Sequence, residues 1–101
     1  MDMNTSLIEH IYLILRSAKL TTTRQAFSRE YVGKNPNWSA YQAHMKRDFS
    51  ITGAINCLRS IRLCKERDAA LDLVQLCALR EAEALLLEHL NERYSVADIC
   101  A

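Results

Sequence analysis

The chain has 101 residues, half of them apolar and a quarter charged, with two Gly, one Pro and a formal net charge of +1. Such a length gives one domain with a modest core, and such a composition excludes a disordered chain and favours helices over strands. No apolar run approaches the roughly 18 residues of a membrane span, and the start Met1-Asp2-Met3-Asn4 does not open a signal peptide, so the expected compartment is the cytoplasm.

The near-neutral total hides a segregation of charge. Residues 1–65 hold ten Lys/Arg against four Asp/Glu, and residues 66–101 hold three against eight. A basic half suited to a polyanion is joined to an acidic half.

The first predicted helix runs from about Ser6 to Lys19. Ser6-x-x-Glu9 is a capping box, and Leu7, Ile11, Leu15 and Ala18 mark an apolar face. A second capping box, Thr22-x-x-Gln25, opens a helix over about 23–32 with Ala26, Phe27, Tyr31 and Val32 inward. Gly33 stands where a helix ends in a left-handed residue. Asn35 is a good N-cap, and Pro36 loses no hydrogen bond at a first helical position. The third helix is therefore predicted over about 36–47, with Trp38, Tyr41 and Met45 along its core side.

Asp48-Phe49-Ser50 is the next break, and Ser50 caps a fourth helix from Ile51 to about Cys64. Gly53 in its first turn permits close approach of a neighbour. Asp68 is the expected cap of a fifth helix reaching about Glu92, some 24 residues and ~36 Å long. The alternative is one continuous helix from Ser50 through Lys65. Residues 95–101 are expected to form a tail or one further turn. The fifth helix carries more leucines than one buried face requires. Leu76, Leu79, Leu86 and Leu90 are therefore expected at a homodimer interface.

Little in the chain points to catalysis. His10, His44 and His89 fall on separate helices, and no nucleophile with its base, carboxylate pair or phosphate-cradling loop is spaced for chemistry. No enzyme activity and no cofactor are expected. Cys57, Cys64, Cys77 and Cys100 include no C-x-x-C pair and read as small, reduced thiols among apolar residues. Cys57, Cys64 and His89 match no familiar zinc spacing, and no metal site is assigned.

The helix after Pro36 is the candidate binding element. With Trp38, Tyr41 and Met45 turned inward, its other face presents Asn37, Ala40, His44 and Arg47, with Ser39, Gln42, Ala43 and Lys46 nearby. Asn and Gln pair with adenine, Arg and Lys with guanine or phosphate, and small Ser and Ala permit close approach to base edges. Asn35 and the helix start are suited to a phosphate, and Arg24, Arg29 and Lys34 flank them as backbone contacts. Arg59, Arg62 and Lys65 on the fourth helix are either phosphate contacts or solubilising charges.

The run Gln25-Ala-Phe-Ser-Arg-Glu-Tyr-Val-Gly33, then Lys-Asn-Pro-Asn-Trp-Ser-Ala-Tyr41 and the helix over 51–61, resembles the Cro and lambda-repressor-like helix-turn-helix family. The resemblance covers roughly Leu7 to Leu63, and small bacterial proteins related to that fold share it. Two positions depart from the usual pattern. Arg29 stands four before the turn glycine, where a small residue is usual, and Ser39 stands six after it, where an apolar residue is usual. The resemblance implies four or five helices, operator DNA bound by the third, and action as a dimer.

The resulting expectation is an all-α, five-helix bundle packed as one domain. Residues 1–65 form a basic helix-turn-helix-like unit, and residues 66–101 form an acidic Leu-rich dimerisation helix and tail. Its expected function is that of a small transcriptional regulator, by analogy a repressor, that binds double-stranded DNA as a homodimer. The alternative is a protein-interaction module, an adaptor or anti-regulator that presents its last helix to a partner protein and uses the helix-turn-helix only as a scaffold.

Overall fold

Five helices, seen in a computed structural model that describes residues 6–93, carry the chain: α1 (Leu7–Ser17), α2 (Arg24–Glu30), α3 (Trp38–His44), α4 (Ile51–Arg67) and α5 (Leu73–Arg93). The described residues are all-α, with no strand among them. No described helix is long and apolar enough to cross a membrane. The tail or turn expected over residues 95–101, and Cys100 with it, lie outside the described residues.

Helix α1 starts where the sequence places it, but with two caps. Ser6 Oγ accepts the Glu9 amide at 3.1 Å. Glu9 does not close the capping box, because its carboxylate pairs with Arg24. The second cap comes from a distant residue: Asp48 Oδ2 accepts the Leu7 amide at 2.7 Å and Oδ1 the Ile8 amide at 3.0 Å. These bonds satisfy amides that a helix start leaves without partners. Helix α1 ends on Lys19, in the left-handed region at φ 63°, with the Leu20 amide donating to the Leu15 carbonyl at 2.9 Å.

Helix α2 is capped one residue later than expected, by Thr23, whose Oγ1 accepts the Ala26 amide at 3.0 Å. Gly33 takes the predicted left-handed conformation at φ 70°. Helix α3 starts two residues late, because Asn35, Pro36 and Asn37 form a turn. In it Asn35 Oδ1 accepts the Asn37 amide and the Asn35 carbonyl accepts the Trp38 amide, each at 2.9 Å. Helix α3 also stops early. Lys46 is left-handed at φ 55° and Arg47 donates to the Gln42 carbonyl at 2.8 Å, so Lys46 and Arg47 lie beyond the helix.

Ser50 caps α4 as predicted, its Oγ accepting the Gly53 amide at 3.1 Å. A Cβ on Gly53 would sit 3.4 Å from the Trp38 ring, which is the close approach this glycine permits. Helix α4 runs past Cys64 to Arg67, and residues 68–72 break the chain before α5, so the two helices are not continuous. Asp72, rather than Asp68, caps α5. Its Oδ1 accepts the Gln75 amide at 2.8 Å and its own amide donates to Gln75 Oε1 at 3.2 Å.

Helix α5 packs against both α1 and α4, and this two-sided contact absorbs its leucines. Leu79 and Leu86 are fully buried and Leu90 is 4 % exposed, in one core with Ile11, Leu15, Phe27 and Ile61. The expected dimer contacts Leu79, Leu86 and Leu90 are therefore interior residues of this chain. Leu76 is half-buried. The outward apolar residues of α5 are Leu73, at 74 % exposure, and Val74, at 66 %.

The thiols divide by position. Cys57 is buried, Cys64 half-buried and Cys77 exposed, all unpaired. Burial pushes the Cys57 thiol up to about 12, so it is an inert core residue.

Candidate nucleic-acid interface

The crossing of α2 and α3 sets which side chains of α3 reach solvent. Ser28 on α2 is fully buried there. Its hydroxyl donates to the Arg24 carbonyl at 2.9 Å and accepts the Ser39 amide at 3.2 Å. Two small residues thus bring the helices close, and Ser39 is 5 % exposed. One turn on, Gln42 is also buried, and its Nε2 donates to the Asp48 carbonyl at 2.8 Å. Trp38 is half-buried against Phe49, with ring centroids 5.7 Å apart.

This register corrects the sequence-based face of α3. Ser39 and Gln42, expected to read DNA, point into the protein. Tyr41 and Met45, expected in the core, are 53 % and 42 % exposed. The physical reason is that buried polar groups with good partners are as acceptable in a core as apolar ones. The Asp48 carbonyl supplies that partner for Gln42, and Ser39 is small enough for the close crossing with α2, where Ser28 accepts its backbone amide.

The outward side of α3 then consists of Asn37, Ala40, Tyr41 and His44, with Ala43 beside them. Asn37, Ala40 and His44 are where the sequence puts them. Asn35 is exposed just ahead of the helix and Lys34 is half-buried in the turn. Lys46 and Arg47 are exposed just past its end. Arg29 is exposed on α2, where its guanidinium lies 3.4 Å from the Glu30 carboxylate.

A groove beside this face joins three elements: the end of α1, the start of α2 and the turn into α3. Its walls include Arg16, Thr22, Arg24, Gln25 and Asn37, and Pro36 and Ala40 keep it open. Arg24 lies 4.8 Å from the centre of the Tyr12 ring and is paired with Glu9, which raises its pKa further. Arg16 has no ion-pair partner among the described residues. Arg16, Thr22 and Gln25 are not among the binding residues expected from the sequence; the signal for them is the polar run Thr21 to Gln25 next to a basic helix end.

The α4 cations sort differently. Glu83 on α5 accepts from Arg62 at 2.8 Å and also from Lys65, and these two bonds hold its carboxyl below the usual range. Arg62 and Lys65 thus join α4 to α5 rather than extend the basic surface. Arg59 is exposed. The ring of His89 meets Phe49 edge-on at 6.5 Å, and Tyr31 donates to the Leu20 carbonyl at 3.2 Å. Burial drives the Tyr31 phenol above its ordinary range.

Fold and site together describe an all-α protein that presents a short, uncharged helix face bordered by cations. Residues 8–98 match a family of unknown function, DUF6626, and the chain belongs to that family. No curated protein and no solved structure matches the chain.

Proposed function

We propose that the chain binds double-stranded DNA through the outward face of α3 and acts by occupancy as a small transcriptional regulator. The observation that carries this is the arrangement around α3: four outward positions without Lys, Arg, Asp or Glu, with Lys34, Lys46 and Arg47 at its two ends and Arg16 along its side. An α-helix with its side chains is about 10–12 Å across, a diameter that a major groove about 12 Å wide admits. The flanking cations hold phosphates and the helix meets base edges. The inward placement of Ser39, six residues after Gly33, supports kinship with the helix-turn-helix pattern.

Salt titration of binding to duplex DNA tests the proposal. Neutralised phosphates release counterions, so affinity should begin in the micromolar range or tighter and fall steeply as salt rises. Lys46→Glu with Arg47→Glu should abolish binding while the helical signal in circular dichroism is retained. Absence of binding at low salt would refute the proposal.

A second reading, a protein-interaction module, rests on a separate observation. Leu73 and Val74 open an apolar groove with Ile14, Ala18 and Cys77 between α5 and α1, and this groove supports self-association or a partner protein. Sedimentation of the chain and of Leu73→Asp/Val74→Asp at high micromolar concentration tests it. A native chain that is monomeric there removes the homodimer.

A further inference from the structure

We infer that the DNA met by α3 is read at A·T base pairs, through thymine methyl groups and an adenine edge. The inference rests on the DNA proposal for the same helix and adds which base pairs it takes. Its ground is the chemistry of the four outward positions. In the major groove, guanine is most often bound by a bidentate Arg or Lys, and the cytosine amino group donates to Asp or Glu. Asn37, Ala40, Tyr41 and His44 include no Arg or Lys and no carboxylate.

Their own chemistry matches the other base pair. Asn37 is exposed and makes no side-chain cap hydrogen bond, so its carbonyl and amino groups are both free for the N6/N7 edge of adenine. Ala40 and Tyr41 offer a methyl group and an exposed ring to the methyl that only thymine carries in that groove. His44 can contact a purine N7, which adenine and guanine share, and so adds contact without discrimination.

The cations stand beyond the ends of α3, where they are suited to phosphates. Lys34 precedes α3, and Lys46 and Arg47 follow its last turn. Charge complementarity at both ends of an unpartnered helix face commits that face to duplex DNA.

The experiment is selection of the native chain against random-sequence duplexes, followed by affinity measurements on the enriched duplex. Its thymines are then replaced by uracil, which removes the methyl groups and leaves the backbone charge and pairing unchanged. The expected enriched core is A·T-rich. Uracil substitution should weaken binding about tenfold, with the same salt dependence. Asn37→Ala should remove about tenfold of the A·T preference and leave the helical signal unchanged. A G·C-rich core, or equal affinity for thymine and uracil duplexes, overturns the base preference while DNA binding stands. No binding to any duplex at low salt overturns both.

Discussion

Replacing Asp48 by alanine should destabilise the protein far more than its position in a short loop suggests. One carboxylate accepts the amides of Leu7 at 2.7 Å, Ile8 at 3.0 Å and Phe49 at 2.9 Å. Two of these amides open α1, forty residues away in sequence, and Ile8 is itself buried. Loss of an N-cap typically costs about 1–2 kcal/mol, and loss of a negative charge at a helix start adds about 0.3–1 kcal/mol. The expected total is about 1.3–3 kcal/mol, which for a domain of this size lowers Tm by about 5–20 °C. Thermal unfolding followed by circular dichroism measures it. Ser6→Ala, which removes a single acceptor from the same helix start, is the internal standard at about 1 kcal/mol. Asp48→Asn, which keeps one acceptor oxygen and no charge, should fall between the two. A Tm loss for Asp48→Ala no larger than that for Ser6→Ala would refute the role of Asp48 as a second cap.

Lys46→Gly should stabilise the fold by up to about 1 kcal/mol, because a lysine in the left-handed region is strained and glycine is not; in the same protein it should weaken DNA binding, and chemical denaturation beside DNA titration reads the two effects. Glu83→Gln tests the α4–α5 link through pH. Arg62 and Lys65 hold the Glu83 carboxyl below its unfolded value, so its stabilisation is present above the ordinary carboxylate range near about 4.3 and is lost as pH falls through the lower folded value. The Tm gap between native chain and variant should therefore be open at neutral pH and close in acid; a gap constant with pH contradicts the linkage. Thr21 is 5 % exposed and its hydroxyl has no partner among the described residues, so Thr21→Val should be neutral or raise stability by up to about 1 kcal/mol in denaturant unfolding, and a loss beyond about 1 kcal/mol would reveal a partner for the hydroxyl.

The parts of this fold that were legible in the sequence are those decided locally. Ser6, Ser50 and Gly33 each act on backbone groups within a few residues, and each does what its type and position imply. The face of α3 was not legible, because its burial is decided by partners elsewhere. Gln42 is interior because the Asp48 carbonyl accepts from its side chain, and Ser39 lies at the close crossing where its backbone amide donates to the Ser28 hydroxyl. An apolar pattern gives such positions no signal, and the visible aromatics Trp38 and Tyr41 suggested a register one residue away. The leucines of α5 misled for a related reason. Counting apolar residues against one buried face assumes a helix with one neighbour, whereas α5 packs between two. Left-handed Lys19 and Lys46 had no sequence signal at all, since glycine is the residue that marks such positions.

The orientation of α3 and the chemistry of its outward face therefore reside in different residues. The loop Asp48-Phe49 aims the helix: the Asp48 side chain caps α1, its carbonyl holds Gln42, and Phe49 packs on Trp38 and against His89 of α5. None of these groups faces outward. The outward positions Asn37, Ala40, Tyr41 and His44 make no side-chain hydrogen bond within the described protein, so the fold places little demand on their identity. Substitutions at Ser28, Gln42 or Asp48 alter stability as well as orientation, because they leave buried polar groups without partners. Substitutions at the outward four alter what the helix can contact and leave its support intact. A surface with that separation can change what it contacts while one scaffold is kept, which is the physical condition that the proposed DNA-binding role sets for α3.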